Sequence, residues 1–411
     1  MRAAAGRRPI DRSTKHGNAP VDVLNTKPET AAADLRGADE RQAERAARTA
    51  GRLAAKQRAE AERRLRRQQE AEARRERERL EREATIASAY EHYLRVREWA
   101  GRVSAEGRRA APLLTPAEQQ MVAALAPLWD ASPDMIANLR RWSGPITGVH
   151  HTDYDDPPRA LALGLKYAVG SVRRHAGEDL FVEESPLLGG FGVEWHRRRY
   201  NEDTVRFFKA LVGLQDGGVL ADCRHQDTRR LVWEIGGGWG GFAFQFKTVC
   251  PNVTYLMTGM PELLLASAVY LMTAFPAARC RFYDPSSNAG LWDDWEQVDF
   301  VFATDHAVAG LLTPPIHVTL DIMAFQSMSD RRVAMHVQRA FELGSRYFFS
   351  QTPGPCFRDE VPEAWQSIGR RFWLHQVPPP LDAWAFVVDR FHDAPAIDDY
   401  AQTVGWRRLR V

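Results

Sequence analysis

Cysteine is scarce: Cys223, Cys250, Cys280 and Cys356 are the only four, far apart and without a Cys-x-x-Cys pair. In a chain of 411 residues this excludes a disulfide framework and predicts reduced thiols. Zinc is left without paired ligands, and His150-His151 reads as part of a surface loop, so no metal is expected. Long apolar runs are missing too. Nothing approaches the ~18 uninterrupted apolar residues of a transmembrane helix. The basic N-terminal residues are not followed by the apolar stretch of a secretory signal. The expectation is a cytoplasmic protein without a membrane span. Net charge is also nearly absent, at +2, whereas a dedicated nucleic-acid binder carries a strong basic excess. No nucleic-acid partner is expected.

The N-terminal part lacks the means to build a core. Residues 1–33 have no hydrophobic period and are expected to be disordered. From Asp34 to Glu83 the chain becomes Arg, Glu, Ala and Gln, with no proline and almost no apolar side chain larger than alanine. Acid-before-base pairs four residues apart recur, at Glu44/Arg48, Glu60/Arg64, Glu62/Arg66, Glu70/Arg74 and Glu78/Arg82. Such pairs stabilise an isolated helix. Leu35, Leu53, Leu65 and Leu80 keep no a/d heptad, so a stable coiled coil is not supported. Residues 34–84 read as a solvated single helix. A partner-binding arm, or one that meets an anionic surface, is the alternative.

Globular patterning starts near Ile86. Tyr90, Tyr93, Leu94, Val96 and Trp99 give a helix one apolar side, and Thr115-Pro116-Ala117-Glu118 carries the capping box of a second helix. Further helices are expected over Asp134–Trp142, Leu161–His175 and Asp203–Leu214. Residues 85–215 thus form a mainly helical region. Between them, Pro186-Leu187-Leu188-Gly189-Gly190-Phe191-Gly192 is too apolar for a solvent loop and implies close backbone approach, to another element or to a ligand.

Residues 216–411 alternate short β-rich runs with helices, the pattern of a parallel α/β sheet. Strands are expected at Leu231–Ile235, Thr254–Met257, Arg279–Tyr283, Asp299–Ala303, Val318–Met323 and Arg346–Phe349. Helices are expected at Gly240–Val249, Pro261–Phe275 and Asp330–Leu343. The order of the strands between 279 and 323 stays open.

Five glycines crowd the turn after the first of these strands: Glu234-Ile235-Gly236-Gly237-Gly238-Trp239-Gly240-Gly241. Open α/β sheets bind nucleotides at such a strand-to-helix turn. Two cofactors compete for it. Gly236, Gly238 and Gly241 fit the dinucleotide pattern GxGxxG, which would take NAD. Glu234 with Gly236, Gly238 and Gly240 fits an acid followed by GxGxG. A pyrophosphate has no use for a neighbouring carboxylate, whereas the ammonium and sulfonium of S-adenosylmethionine do. That cofactor is favoured, and a turn without ligand is the third reading. Trp239 either closes over the cofactor or packs against the sheet.

From about Pro186 to Pro380 the chain resembles the sugar O-methyltransferases, a bacterial family. The matching stretches are PLLGGFG at 186–192, VWEIGGGWGGFAFQFKTVCPNVTY at 232–255, PELLLASAVYLMTAFP at 261–276, DFVFATDHAVAGL at 299–311, LDIMAFQSM at 320–328 and WLHQVPPP at 373–380. The resemblance implies a class I methyltransferase (Rossmann-like) fold, a mostly parallel sheet flanked by helices. It also implies methyl transfer from S-adenosylmethionine to a sugar hydroxyl of a glycan or glycoconjugate precursor. Two departures stand out. The family's Asp-x-Pro-Glu sequence, whose aspartate grips the ribose, reads Gly259-Met260-Pro261-Glu262 here. Its Ser-x-Gln-Glu-Met type sequence reads Ala324-Phe325-Gln326-Ser327-Met328 and lacks the carboxylate.

A sugar hydroxyl needs a base at its oxygen, worth about a hundred- to ten-thousandfold. The expected base is His306, just beyond the strand Asp299–Ala303, with Asp305 orienting it and Asp321 as second choice. His317 reads as a strand-entry residue. The expected cofactor residues are Glu234, Gly236, Gly238 and Gly240, with Glu262 and Asp284 as candidates for the ribose or adenine. Gln326 is the candidate acceptor contact.

Overall fold

The computed structural model describes residues 28–110, 114–225, 227–284, 290–353, 366, 368, 370–377 and 400–407. The expected disorder of residues 1–33 lies outside these up to residue 27. The remainder is corrected: the charged helix already starts at Pro28, and it runs without a break to Ala110. The amphipathic segment around Tyr93 is therefore not a separate helix. The chain divides into two compact units, residues 1–79 and 80–411. In the first, helical positions 40–70 are all exposed, as alanine and charged side chains dictate.

In the second unit, helical spacing buries Tyr93, Val96, Ala100 and Val103 in the core, with Trp99 4% exposed. Trp99 Nε1 donates to Tyr283 O at 2.7 Å. The helix Pro116–Leu125 opens with the expected capping box: Thr115 Oγ1 accepts from Glu118 N, and Glu118 Oε2 accepts from Thr115 N at 2.9 Å. The helices Arg159–Ala176 and Glu202–Asp216 also match expectation. The stretch 134–142 instead splits into a short helix, Pro133–Ala137, and a 3-10 turn, Leu139–Ser143.

The strands are β1 (Val193–Trp195), β2 (Arg198–Tyr200), β3 (Arg230–Ile235), β4 (Val253–Gly259), β5 (Cys280–Phe282), β6 (Phe300–Thr304), β7 (Ile316–Ile322), β8 (Tyr347–Pro353), β9 (Phe372–Val377) and β10 (Tyr400–Arg407). β1 and β2 form a small hairpin. The other eight make one sheet, ordered β5-β6-β4-β3-β7-β8-β10-β9. From β5 to β8 all neighbours are parallel, and β10 pairs antiparallel with both β8 and β9. This is a Rossmann-like, mostly parallel sheet flanked by helices. The six expected strands are present, and the order left open places β5 at the edge with β6 between it and β4.

Both faces of this sheet are covered, which is why its strands read as nearly continuous apolar runs. Alternate residues part to opposite sides. Val232, Tyr255, Met257, Phe300, Phe302 and Leu320 join the core beneath the helices Glu202–Asp216, Gly241–Val249 and Pro261–Ala274. Leu231, Trp233, Ile235, Leu256 and Val301 join the other, under Val333, Val337 and Phe341 of the helix Asp330–Glu342.

Candidate functional site

β3 sits in the middle of the parallel part, and the glycine turn leaves its C-terminal end. Gly236, Gly237, Gly238 and Gly240 have φ of +88°, +56°, +49° and +89°, a left-handed region that L side chains enter at about 1–2 kcal/mol each. Space forbids side chains as well. A Cβ on Gly236 would run into Ala324 Cβ, and one on Gly237 into Met257. Gly236 N donates to Thr258 O at 2.7 Å, tying the turn to β4.

A cleft of about 850 Å³, its solvent-filled mouth included, opens over the turn. Gly236–Gly238 form its floor; Met260 and Leu263 border it beyond β4, Asp305 beyond β6, and Ile322–Ala324 with Gln326–Met328 beyond β7. Ile146, Thr147, Glu118 and Met121 belong to the helical region, so that region completes the site. The C-terminal ends of β3, β4, β6 and β7 contribute, the edge at which open α/β folds bind ligands.

Glu234 lies in the cleft wall, 3% exposed. Its Oε2 accepts a hydrogen bond from the Tyr255 hydroxyl at 2.8 Å. Burial pushes its carboxyl up to about 8, the charge of Asp321 adds to the rise, and the Tyr255 hydrogen bond opposes it. Near neutral pH the side chain is therefore largely protonated, and an arriving cation would draw it into the charged form.

The other expected residues scatter. Gln326 is exposed and lines the cleft. Gly240 faces the helix Pro261–Ala274 instead, where a Cβ would press on Ser267 and Leu271 at 3.2 Å. Glu262 is half-buried in the first turn of that helix, between two cleft residues. Asp284 borders a separate groove with Arg95, Trp99 and Phe282 beyond the sheet edge, so the cleft at the turn does not include it. The reason is the strand order: β6 and β4 stand between β5 and β3.

Asp321 is wholly buried and committed. Oδ1 accepts from Ala324 N at 2.9 Å and Phe325 N at 3.0 Å, and Oδ2 accepts from Ser350 Oγ at 2.7 Å. Burial raises its carboxyl to about 6 against these hydrogen bonds. It holds the loop after β7 in shape and does not line the cleft. That loop is strained at Met323, whose φ is +63°, and the Met323 N–H is held by Gln351 O at 2.7 Å.

Asp305 does line the cleft, but its Oδ2 accepts from Arg332 Nη2 at 2.6 Å. Arg332 also holds Glu118, so one buried guanidinium joins two cleft carboxylates from opposite ends of the chain. His306 is half-buried beside it, with Nε2 3.1 Å from Thr304 Oγ1, and is not a lining residue. The pairing of Asp305 with His306 as an orienting partner gives way to an Arg332 ion pair. Glu118 and Arg332 were legible only in part: Glu118 had a role in the cap, and nothing local marked Arg332.

Arg140 is a second buried centre, 1% exposed. It pairs with Glu184 at 2.7 Å and Asp203 at 3.0 Å. Its guanidinium lies 3.8 Å from the Trp239 ring centre and 4.5 Å from that of Phe191. Trp239 is therefore a packed residue at the cleft edge and not a free lid. The Pro186–Gly192 loop packs as well: a Cβ at Gly190 would strike Ser185 O, and one at Gly192 would strike Tyr200 O.

No family model matches the chain, and no curated protein does. Solved structures similar to it include magnesium protoporphyrin IX methyltransferase (ChlM) from Synechocystis PCC 6803 with bound SAM. It is 10% identical, covers 61% of this chain and 98% of its own, and has a TM-score of 0.32. The N-methyltransferase NodS from Bradyrhizobium japonicum WM9, in complex with S-adenosyl-L-homocysteine, is 9% identical over 51% of this chain and 94% of its own, with a TM-score of 0.30. The S-adenosylmethionine-dependent methyltransferase SibL in its apo form is 10% identical over 69% and 78%, with a TM-score of 0.30. Overlaps this loose are likenesses only, and the fold stands on its strand order and register.

Proposed function

We propose that this chain is an S-adenosylmethionine-dependent methyltransferase that methylates a sugar hydroxyl. The observation that carries the cofactor is the pairing of a left-handed glycine turn with a buried carboxyl, Glu234, in the wall of the same cleft. A dinucleotide's pyrophosphate would meet an acid there, whereas the ammonium of S-adenosylmethionine gains a counterion. The similar methyltransferase structures agree with this reading without adding weight to it. The sugar acceptor rests on the sequence resemblance from 186 to 380.

In this reading Gly236–Gly238 let the backbone approach the cofactor, and Glu234 holds its ammonium. The ribose carboxylate of the resembled family is absent, and Gly259 has a physical reason: a Cβ there would stand 3.0 Å from Gly236 O. Glu262, one turn on, is the candidate for that role, and Gln326 faces the acceptor. His306, one residue beyond the cleft wall at Asp305, takes the acceptor proton. Bound S-adenosylmethionine would supply the methyl group, and the protein's part is to align it and to exclude water. Titration calorimetry with S-adenosylhomocysteine and with NAD tests the cofactor. Binding of the first alone supports the proposal; binding of NAD alone overturns it.

A further inference from the structure

The helix of the first unit segregates its charge. Residues 41–67 hold ten cations against three anions, Glu44, Glu60 and Glu62, a net of +7, while the whole chain carries only +2. At 100° per residue, Arg41, Arg45, Arg48, Arg52, Lys56, Arg63 and Arg66 fall within an arc of about 80°. They form a row about 38 Å long, interrupted only at Ala59. Ala43, Ala46, Ala47, Ala50, Ala54 and Ala61 dominate the opposite side, which also holds Gln57, Arg64 and Leu65. Every one of these positions is exposed.

We infer that this row is a docking surface for a linear acidic polysaccharide. Charge complementarity calls for an anionic partner of matching length. Three other partners fit less well. A membrane-surface helix opposes its cations with a face of large apolar side chains, but here the opposite side is mostly alanine, with Leu65 its one larger apolar residue and Arg64 among them. Single-stranded nucleic acid wants aromatic stacking platforms, and residues 28–79 contain no aromatic residue. A DNA duplex turns fully in about 34–36 Å, so its phosphates wind away from a straight row of this length. An extended glycan chain stays alongside it, and guanidinium groups match its carboxylates in bidentate geometry. The choice of a glycan leans on the sugar-hydroxyl reading above, whereas the anionic docking itself does not. The arm would hold an acidic polymer near the protein and raise its local concentration.

The test uses the full chain without cofactor, fluorescent polygalacturonate as probe, and neutral dextran as control. Duplex DNA and vesicles containing anionic phospholipid are the competitors. A variant with all seven row cations changed to Gln keeps helix propensity, and an Arg58→Gln, Arg64→Gln, Arg67→Gln variant controls for off-row charge. The expected result is polygalacturonate binding that the row variant weakens at least a hundredfold and the off-row variant by less than tenfold. Single-stranded nucleic acid loses affinity with a log–log salt slope of about −0.7 per engaged cation. A less densely charged glycan should stay shallower than about −5 for seven cations. No binding, equal loss in both variants, or tighter binding to duplex DNA or vesicles at the same salt overturns the inference. Because turnover is not measured, polygalacturonate binding by a chain that fails to bind S-adenosylhomocysteine would sink the methyltransferase reading and leave the arm standing.

Discussion

Changing Glu234 to Gln gives the sharpest test of the cleft. The folded carboxyl titrates at about 8 and an ordinary one at 4.5, so the folded state holds a proton that the unfolded state has lost between these values. A carboxyl raised by folding lowers stability as pH climbs through that window, by about 1.4 kcal/mol per pH unit. Asp321 behaves alike but is half titrated at about 6, and its share, present in both proteins, cancels between them, which leaves the difference over pH 6 to 8 to Glu234. Over those two units the wild type should lose about 2 kcal/mol relative to Glu234→Gln, because the carboxyl is already half ionised at pH 8. Urea unfolding of both proteins at pH 6, 7 and 8 reads this difference, and titrations common to both cancel. The same site makes a second claim. An ammonium drawn beside the carboxyl ionises it, so S-adenosylhomocysteine should release up to one proton on binding near pH 7. Calorimetry in two buffers of different ionisation enthalpy measures that release, which the Gln variant should lack. Parallel stability curves, or binding without proton release, would refute the burial argument.

Five further outcomes are expected. Gly238→Val should abolish S-adenosylhomocysteine binding by calorimetry while circular dichroism stays native, because the nearest neighbour of a Cβ there is Ile146 at 3.7 Å and the left-handed backbone costs about 1–2 kcal/mol. His306→Ala should lower turnover about a hundredfold with cofactor affinity within a few-fold; Asp321→Ala should instead cost about 2–4 kcal/mol in denaturant unfolding, since it strands two backbone N–H groups and a hydroxyl. Arg140→Met should cost about 3–5 kcal/mol by the same assay, because Glu184 would stay buried without its cation and Asp203 would keep only Arg206 as a cation, at 3.6 Å. Deleting residues 1–83 should leave the melting temperature and methyl transfer to a small acceptor nearly unchanged, and a large drop in either would show that the arm supports the domain.

Sequence alone determined whatever depends on neighbours along the chain. The capping box at Thr115, the six parallel strands and the glycine turn each follow from residues within one turn or one strand, where sterics and apolar period act directly. β9 and β10 went unread, as did the continuity of the helix Pro28–Ala110, where no proline or cap ends the charged segment before the apolar side begins. The tertiary structure decided which polar groups meet. Glu118 and Arg332 lie 214 positions apart, and their contact exists only because the helical region folds over the C-terminal edge of the sheet. Asp305 reads as the partner of its neighbour His306 until that guanidinium claims it. Asp321 reads as a second-choice base, and the fold surrounds both of its oxygens with three hydrogen bonds. Asp284 follows a strand as the cofactor residues do, but that strand is at the sheet edge, and strand order is set by packing between distant segments. A residue's type and local spacing say what chemistry it can do; which ions and donors surround it, and hence whether it is free to act, is fixed by contacts between distant segments of the chain.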